Sequence, residues 1–309
     1  MAQQQKSPLT RVRHVGLGVP DFRKTVEFYR TAWRLQVVDE DSDVVFFGTA
    51  AHPEAYVLRV RKDSEKRLDL ISFAVDSAED VDALAERLGT ADVPLVREPD
   101  RLDTPGGGYG FRFFDPDGRL IEVSSDVEER PYRELEPGES IPQKLSHVVV
   151  NSTDILKTKR FYEEHLGFRL SDWLEDRVCF MRVRKDHHIL GIAGGPHTSV
   201  NHVSFEMRGL DEFMRGTGRL IRGGHDLLWG PGRHSAGDNT FSYFSDPMGN
   251  VVEYTTDLEL IEDDDNWKPR TFTTQPEVAD QWGTAGPFEP LLEPMLNDPD
   301  RGVWTPAPI

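Results

Sequence analysis

VRHVGLGVPDFRKTVEFYRTAWRL, residues 12–35, is written a second time as LSHVVVNSTDILKTKRFYEEHLGF, residues 145–168. His14 aligns with His147, Asp21 with Asp154 and Phe28-Tyr29 with Phe161-Tyr162; 147 − 14 and 161 − 28 both give 133. Further along, Ile71-Ser72-Phe73 matches Val203-Ser204-Phe205 at 132, and Asp115-Pro116-Asp117-Gly118 matches Asp246-Pro247-Met248-Gly249 at 131. A near-constant separation carried across so many matched residues marks a tandem duplication. The fold is therefore two copies of one unit.

Within each copy an apolar strand that begins at the histidine runs into Pro20-Asp21 or Thr153-Asp154, which is helix-start chemistry, and then into a helix whose Phe-Tyr pair faces inward. In the second copy the pattern predicts strands over residues 173–183, 189–193 and 202–207, a helix over 210–221, and strands near 227, over 241–244 and over 250–254. Asp-Pro-x-Gly is turn chemistry between the last two strands, proline setting φ and glycine tolerating a positive value. Each copy thus reads as two βαβββ modules, an α+β class built on open, barrel-like mixed sheets. Residues 10–130 and 143–285 are the expected domains. The charged stretch 126–142, with Pro131, Pro137 and Pro142, reads as a linker. After an acidic run over 257–265 comes a tail, 286–309, that wraps the domain or frays; Trp282 and Phe288 are candidates for a lid.

Composition narrows the function. At 309 residues each half can bury a core of its own. The net charge of −18 repels phosphate backbones and anionic lipid, which disfavours nucleic acid and leaves a small-molecule partner. A mean hydropathy of −0.52, with no apolar run near the ~18 residues of a membrane helix, excludes a helical membrane protein. The lone Cys179 forbids an intrachain disulfide, and the first residues carry no secretory pattern, so a cytoplasmic protein is expected.

The duplication also separates scaffold from site. The second copy has His147 on its first strand, His202 on a middle strand and Glu253 on its last; the aligned residues of the first copy are His14, Leu70 and Glu122. One histidine beside an apolar run is usually a hydrogen-bonded core residue. Two with a carboxylate at matched strand positions form a 2-His-1-carboxylate set, which holds a divalent iron on one face and leaves adjacent positions for substrate and dioxygen. Only the second copy is complete, and His14 and Glu122 read as structural remnants. His52, His165, His197 and His225 receive no role.

His147, His202, the stretch Gly232-Arg233-His234, Tyr243 and the run from Asp246 to Glu253 together resemble the type I extradiol ring-cleavage dioxygenases of the vicinal oxygen chelate superfamily, in particular catechol and homoprotocatechuate 2,3-dioxygenases. The resemblance spans about residues 10–285 and departs at Ser242, where an apolar residue is usual. It implies Fe(II), with manganese accepted by the same donors, held by His147, His202 and Glu253. It implies His188 as the acid/base, with His187 solvated, and Tyr243 and His234 beside it. The implied reaction is extradiol cleavage of a catechol with both atoms of O2 incorporated, in aromatic catabolism, by a homo-oligomer, a tetramer in relatives. Where relatives that bind a carboxylated catechol place arginines, this chain has Trp229 and Val278-Ala279, which implies a neutral or apolar ring substituent. Two other readings stand beside this one: an oxygenase like 4-hydroxyphenylpyruvate dioxygenase, and a non-catalytic binding protein of the same fold.

Overall fold

Asp21 and Asp154 each accept a hydrogen bond from the backbone N–H three residues on, at 3.2 and 3.0 Å, so the helix starts lie where the two repeats placed them. The computed structural model describes residues 7–286. The first copy runs β1 (Leu9–Val19), α1 (Phe22–Glu27) with a π-helical turn over Phe28–Ala32, β2 (Gln36–Glu40), β3 (Val44–Gly48) and β4 (Leu58–Lys62). Its second module is β5 (Arg67–Val75), α2 (Ala78–Thr90), β6 (Leu95–Arg101), β7 (Tyr109–Phe114) and β8 (Leu120–Ser125). The second copy repeats the order: β9 (Lys144–Ser152), α3 (Ile155–Leu166), β10 (Arg169–Leu174), β11 (Val178–Arg182) and β12 (Leu190–Gly194), then β13 (Ser199–Glu206), α4 (Leu210–Arg222), β14 (Leu227–Arg233), β15 (Thr240–Ser245) and β16 (Val251–Thr256).

Each copy forms one mixed sheet, ordered β2-β3-β4-β1-β5-β8-β7-β6 in the first. Within a module the first strand pairs in parallel with the last, β1 with β4 and β5 with β8, and the modules join through antiparallel β1 and β5. The same holds for β9 with β12, β13 with β16, and β9 with β13. The joining strands are buried on both faces, which is why they read as near-continuous apolar runs. Gly118 and Gly249 of the two Asp-Pro-x-Gly turns sit at φ 82° and 75°, as the turn requires.

The copies grip each other reciprocally. Tyr29 of the first donates its hydroxyl to Asp246 of the second, and Tyr162 of the second donates to Asp115 of the first, both at 3.1 Å. Trp33, fully buried, packs against Phe205, Phe244 and Tyr254, while Phe168 packs against Phe73. Each copy's first helix thus completes the other copy's core.

One expectation needs correction. The strand expected over 173–183 is a hairpin, β10 and β11, that turns at Glu175; its φ of 48° is unusual for a residue with a side chain, so no glycine marked the turn. The segment after residue 256 is partly ordered: β17 (Arg270–Phe272) adds a ninth strand parallel to β10, and α5 (Pro276–Ala279) follows. Phe288 and the tail beyond Gly286 lie outside the described residues.

Candidate metal centre

Sheet register sets the site. His147 on β9 lies opposite Ser204 on β13, Ser204 opposite Glu253 on β16, Glu253 opposite Tyr243 on β15, and Tyr243 opposite Trp229 on β14. His202, two residues before Ser204, shares its face of the sheet. His147, His202 and Glu253 are therefore neighbours on three adjacent strands, with donor atoms all within 4.8 Å of one another. The Nε2 atoms of His147 and His202 lie 3.1 and 3.4 Å from the Glu253 carboxylate. Adjacent donors of an octahedral ion at roughly 2.1 Å are about 3 Å apart, so the two histidine–glutamate separations match those of donors sharing a divalent metal.

The hydrogen bonds agree. Among the described residues, Nε2 of His202 and both carboxylate oxygens of Glu253 are buried with no hydrogen-bond partner. Such orphans are costly unless an ion takes them up. The other ring nitrogens are engaged: His202 Nδ1 donates to Asn201 at 2.8 Å, and His147 Nδ1 bonds Ser146 at 3.1 Å, which turns both Nε2 atoms inward. Burial holds both histidines down at about 3, the neutral form a metal needs, and pushes the Glu253 carboxyl above its ordinary range.

The three other residues singled out in the sequence come to the same place. His188 is buried with its ring centroid 4.3 Å from that of His147, and burial keeps it neutral far below its ordinary value. Tyr243 packs its ring 5.0 Å from that of His202, and its hydroxyl is 3.1 Å from His234 Nε2. His234 Nδ1 donates to the Ala279 carbonyl at 3.0 Å, so Nε2 accepts the tyrosine proton. Ser242, the departure from the resembled pattern, faces the other side of β15 and accepts from Thr217 of α4 at 3.1 Å. It has no bearing on Tyr243.

His187 is not solvated, contrary to the expectation. It is fully buried, 2.8 Å from Asp172 and 2.9 Å from His188. Sequence reasoning missed Asp172 because it is an ordinary-looking residue on another strand. It also missed Asp280, whose carboxylate accepts the backbone N–H groups of Arg233, Trp282 and Ala285. Gly232 makes that possible: a Cβ there would stand 2.6 Å from Asp280 and 2.4 Å from Phe241. The tail therefore seats Ala279 and Ala285 against Trp229, Phe241 and Tyr243, whereas Trp282 is among the exposed apolar side chains.

In the first copy the equivalent row is closed by protein. Leu70 replaces the middle histidine, and Arg112, at the register position of Tyr243, binds Glu122 at 2.8 Å. His14 hydrogen-bonds Tyr56 at 3.1 Å and is held at about 3, chiefly by burial. An unfolded histidine near 6.5 takes a proton that His14 refuses, so its stabilising contribution is whole above about 6.5 and is lost as pH falls toward 3. We expect His14→Gln to narrow the stability loss by on the order of 2–3 kcal/mol at pH 4 while changing little at pH 8, read from urea midpoints.

The profile of the Glyoxalase/Bleomycin resistance protein/Dioxygenase superfamily matches residues 11–123 and 144–254, one repeat each. The chain belongs to this superfamily. Both matched stretches of this Glyoxalase/Bleomycin resistance protein/Dioxygenase member end one residue past its last-strand glutamates, Glu122 and Glu253. Metapyrocatechase 2 of Cupriavidus necator is 28% identical over 309 residues, which cover 91% of this chain and 93% of that protein. Among solved structures, the Mn(II)-bound glyoxalase of Novosphingobium aromaticivorans is 45% identical with a TM-score of 0.87, covering 91% of this chain and 93% of that one. Homoprotocatechuate 2,3-dioxygenase of Arthrobacter globiformis shares the fold at 22% identity and a TM-score of 0.81, covering 93% and 91%.

Proposed function

We propose that the protein is an extradiol dioxygenase that opens a catecholic ring beside its diol and adds both atoms of O2, using Fe(II) held by His147, His202 and Glu253. The observation that carries this reading is the row of three inward donors with orphaned atoms, flanked by a neutral buried histidine and by a tyrosine whose hydroxyl is already oriented. Names among the relatives point both to catechol cleavage and to a Mn(II)-bound glyoxalase. The imidazole and carboxylate donors accept either metal.

Held by His147, His202 and Glu253, iron would supply an electron path between the diol and dioxygen. This chain's residues supply the rest. His188, kept neutral by burial, takes a diol proton and returns it to the product side of the reaction. Tyr243, held protonated by burial, gives its one O–H to His234, which is anchored on the Ala279 carbonyl, so its oxygen is turned to accept a hydrogen bond from a substrate hydroxyl. Trp229, Phe241, Ala279 and Ala285 form an apolar wall beside Tyr243, while Arg233 turns away to Asp238 and Asp257. This supports a catechol with a neutral or apolar substituent.

The test is anaerobic loading with Fe(II) or Mn(II), followed by a panel of catechols in air with 18O2. The expected result is a yellow ring-opened product carrying two labelled oxygens, formed faster from methyl- or phenyl-catechols than from 3,4-dihydroxyphenylacetate. Turnover of a 2-oxo acid alone, or a protein that takes up neither metal, overturns the reading in favour of one of the two alternatives. His188→Phe is expected to keep its metal and lose on the order of a hundredfold or more in kcat. Unchanged turnover removes His188 from the mechanism.

A further inference from the structure

Behind His188, on the side away from the metal ligands, lies a buried polar chain that the reaction as described leaves unused. His188 Nδ1 is 2.9 Å from His187 Nδ1, and His187 Nε2 is 2.8 Å from Asp172 Oδ2. Asp172 is fully buried, yet it accepts the Arg270 backbone N–H at 2.7 Å and the Arg270 guanidinium at 2.7 and 3.0 Å. The same guanidinium reaches Glu259 at 2.5 Å and lies over the ring of Trp267, whose own ring edges onto His187. Asp172, His187 and Glu259 also have donors close enough together to hold a metal, but Arg270 bridges the two carboxylates and supplies the positive charge there.

We infer that Asp172 and His187, locked by Arg270 of the tail strand, are positioning residues that set the tautomer of His188 through a one-way chain of hydrogen bonds. A carboxylate only accepts, so His187 must give Asp172 its Nε2–H, and in a neutral imidazole its Nδ1 is then an acceptor. Of the two facing Nδ1 atoms one must be the donor, so His188 carries its proton on Nδ1 and leaves Nε2 bare. Burial opposes ionised Asp172, but its hydrogen bonds with His187 and Arg270 prevail and hold its carboxyl below the ordinary range. The direction of the chain therefore has a fixed origin. The consequence rests on the proposed role of His188: a base needs its lone pair on the nitrogen left for the substrate, and the wrong tautomer would present a proton there instead.

Selective 15N-histidine labelling of the full-length chain, read by long-range 15N–1H correlation in EDTA, reports each tautomer independently of activity. We expect Nδ1–H on His188 and Nε2–H on His187. Asp172→Asn combined with Arg270→Met, which removes the guanidinium donors that would otherwise hold the amide oxygen on the His187 side, reverses the origin: with that oxygen kept by the backbone N–H of residue 270, the NH2 faces His187 Nε2, and both tautomers flip. In the metal-loaded enzyme this variant is expected to lose about a hundredfold in kcat with KM and metal content unchanged. His187→Gln, whose amide oxygen can accept from His188, should retain most turnover, whereas His187→Leu should not. This pair keeps the test open if the double variant does not fold. Nε2–H on His188 in the native chain, doubly protonated His187, or equal activity of the Gln and Leu variants overturns the inference. Tautomers that flip without any loss of kcat overturn instead the assignment of His188 as the base.

Discussion

Glu253→Gln is expected to empty the metal site and, in the same protein, to raise the melting temperature of the metal-free form. The first effect follows from the donor set. Glu253 lies within 3.4 Å of both histidine Nε2 atoms and supplies the only anionic donor among the three. A neutral amide is a poorer donor to a hard divalent ion, and changes merely in the outer hydrogen bonds of such sites cost 10–100-fold in affinity, so a loss of more than about a hundredfold is expected. The second effect follows from burial. Without a metal the native carboxylate is fully buried with neither oxygen bonded, and desolvation pushes its pKa up. Replacing it by an isosteric neutral group removes a penalty of about 1–3 kcal/mol, which is a few degrees for a chain of this size. A raised carboxyl pKa costs nothing below the unfolded value, progressively more as pH rises from there to the folded value, and a constant amount above it, so the gap in melting temperature should open as pH rises from the acid range and then level off. Metal analysis after dialysis and calorimetry in EDTA check both. One metal per chain retained by Glu253→Gln would show that the triad is misassigned.

Asp115→Ala should cost about 3–5 kcal/mol of stability, whereas Asp246→Ala at the matching turn should cost only about 1–3. Both aspartates accept the hydroxyl of a tyrosine from the opposite copy. Their other partners differ. Asp115 pairs with the fully buried guanidinium of Arg119, which also reaches Asp117 and crosses to the Asn151 carbonyl on β9. At position 250 the second copy has a neutral asparagine, bonded to Asp246 at 2.9 Å. Removing Asp115 therefore leaves part of a fully buried guanidinium uncompensated, whereas removing Asp246 leaves neutral donors and, of charged groups, the half-buried Lys66. Denaturant titration of the two variants checks the difference; equal losses would mean that the buried charge is not what separates the turns.

The fold was legible in the sequence because duplication printed it twice, and the candidate centre because the two copies differ at a ligand position. The offsets located β1 and β9, the capping aspartates and the glycine turns, and the failure of the match at one ligand position, Leu70 against His202, separated the copy with the ligands from the copy without. What stayed hidden had no local signature. The turn at Glu175 uses a charged residue in a left-handed conformation, so β10 and β11 ran together. The link between His187 and Asp172 runs from the loop between β11 and β12 back to β10, 15 positions away, and His187 in the charged run Lys185-Asp186-His187-His188 looks like a surface residue. The tail strand earns its place through Arg270 and Asp172, a pairing of residues 98 positions apart.

Arg112 has a bearing on how the molecule is made. Synthesis proceeds from the N-terminus, and domains fold as they emerge from the ribosome. The copy that emerges first is the one whose buried Glu122 is met by a guanidinium belonging to the same chain. Its sheet needs no metal to meet Glu122, and it offers Asp115 and Phe73 to Tyr162 and Phe168 of the nascent second half, which complete its core. Metal supply would then govern only the last stage of maturation, and metal scarcity would leave a folded chain awaiting its ion, not a misfolded one.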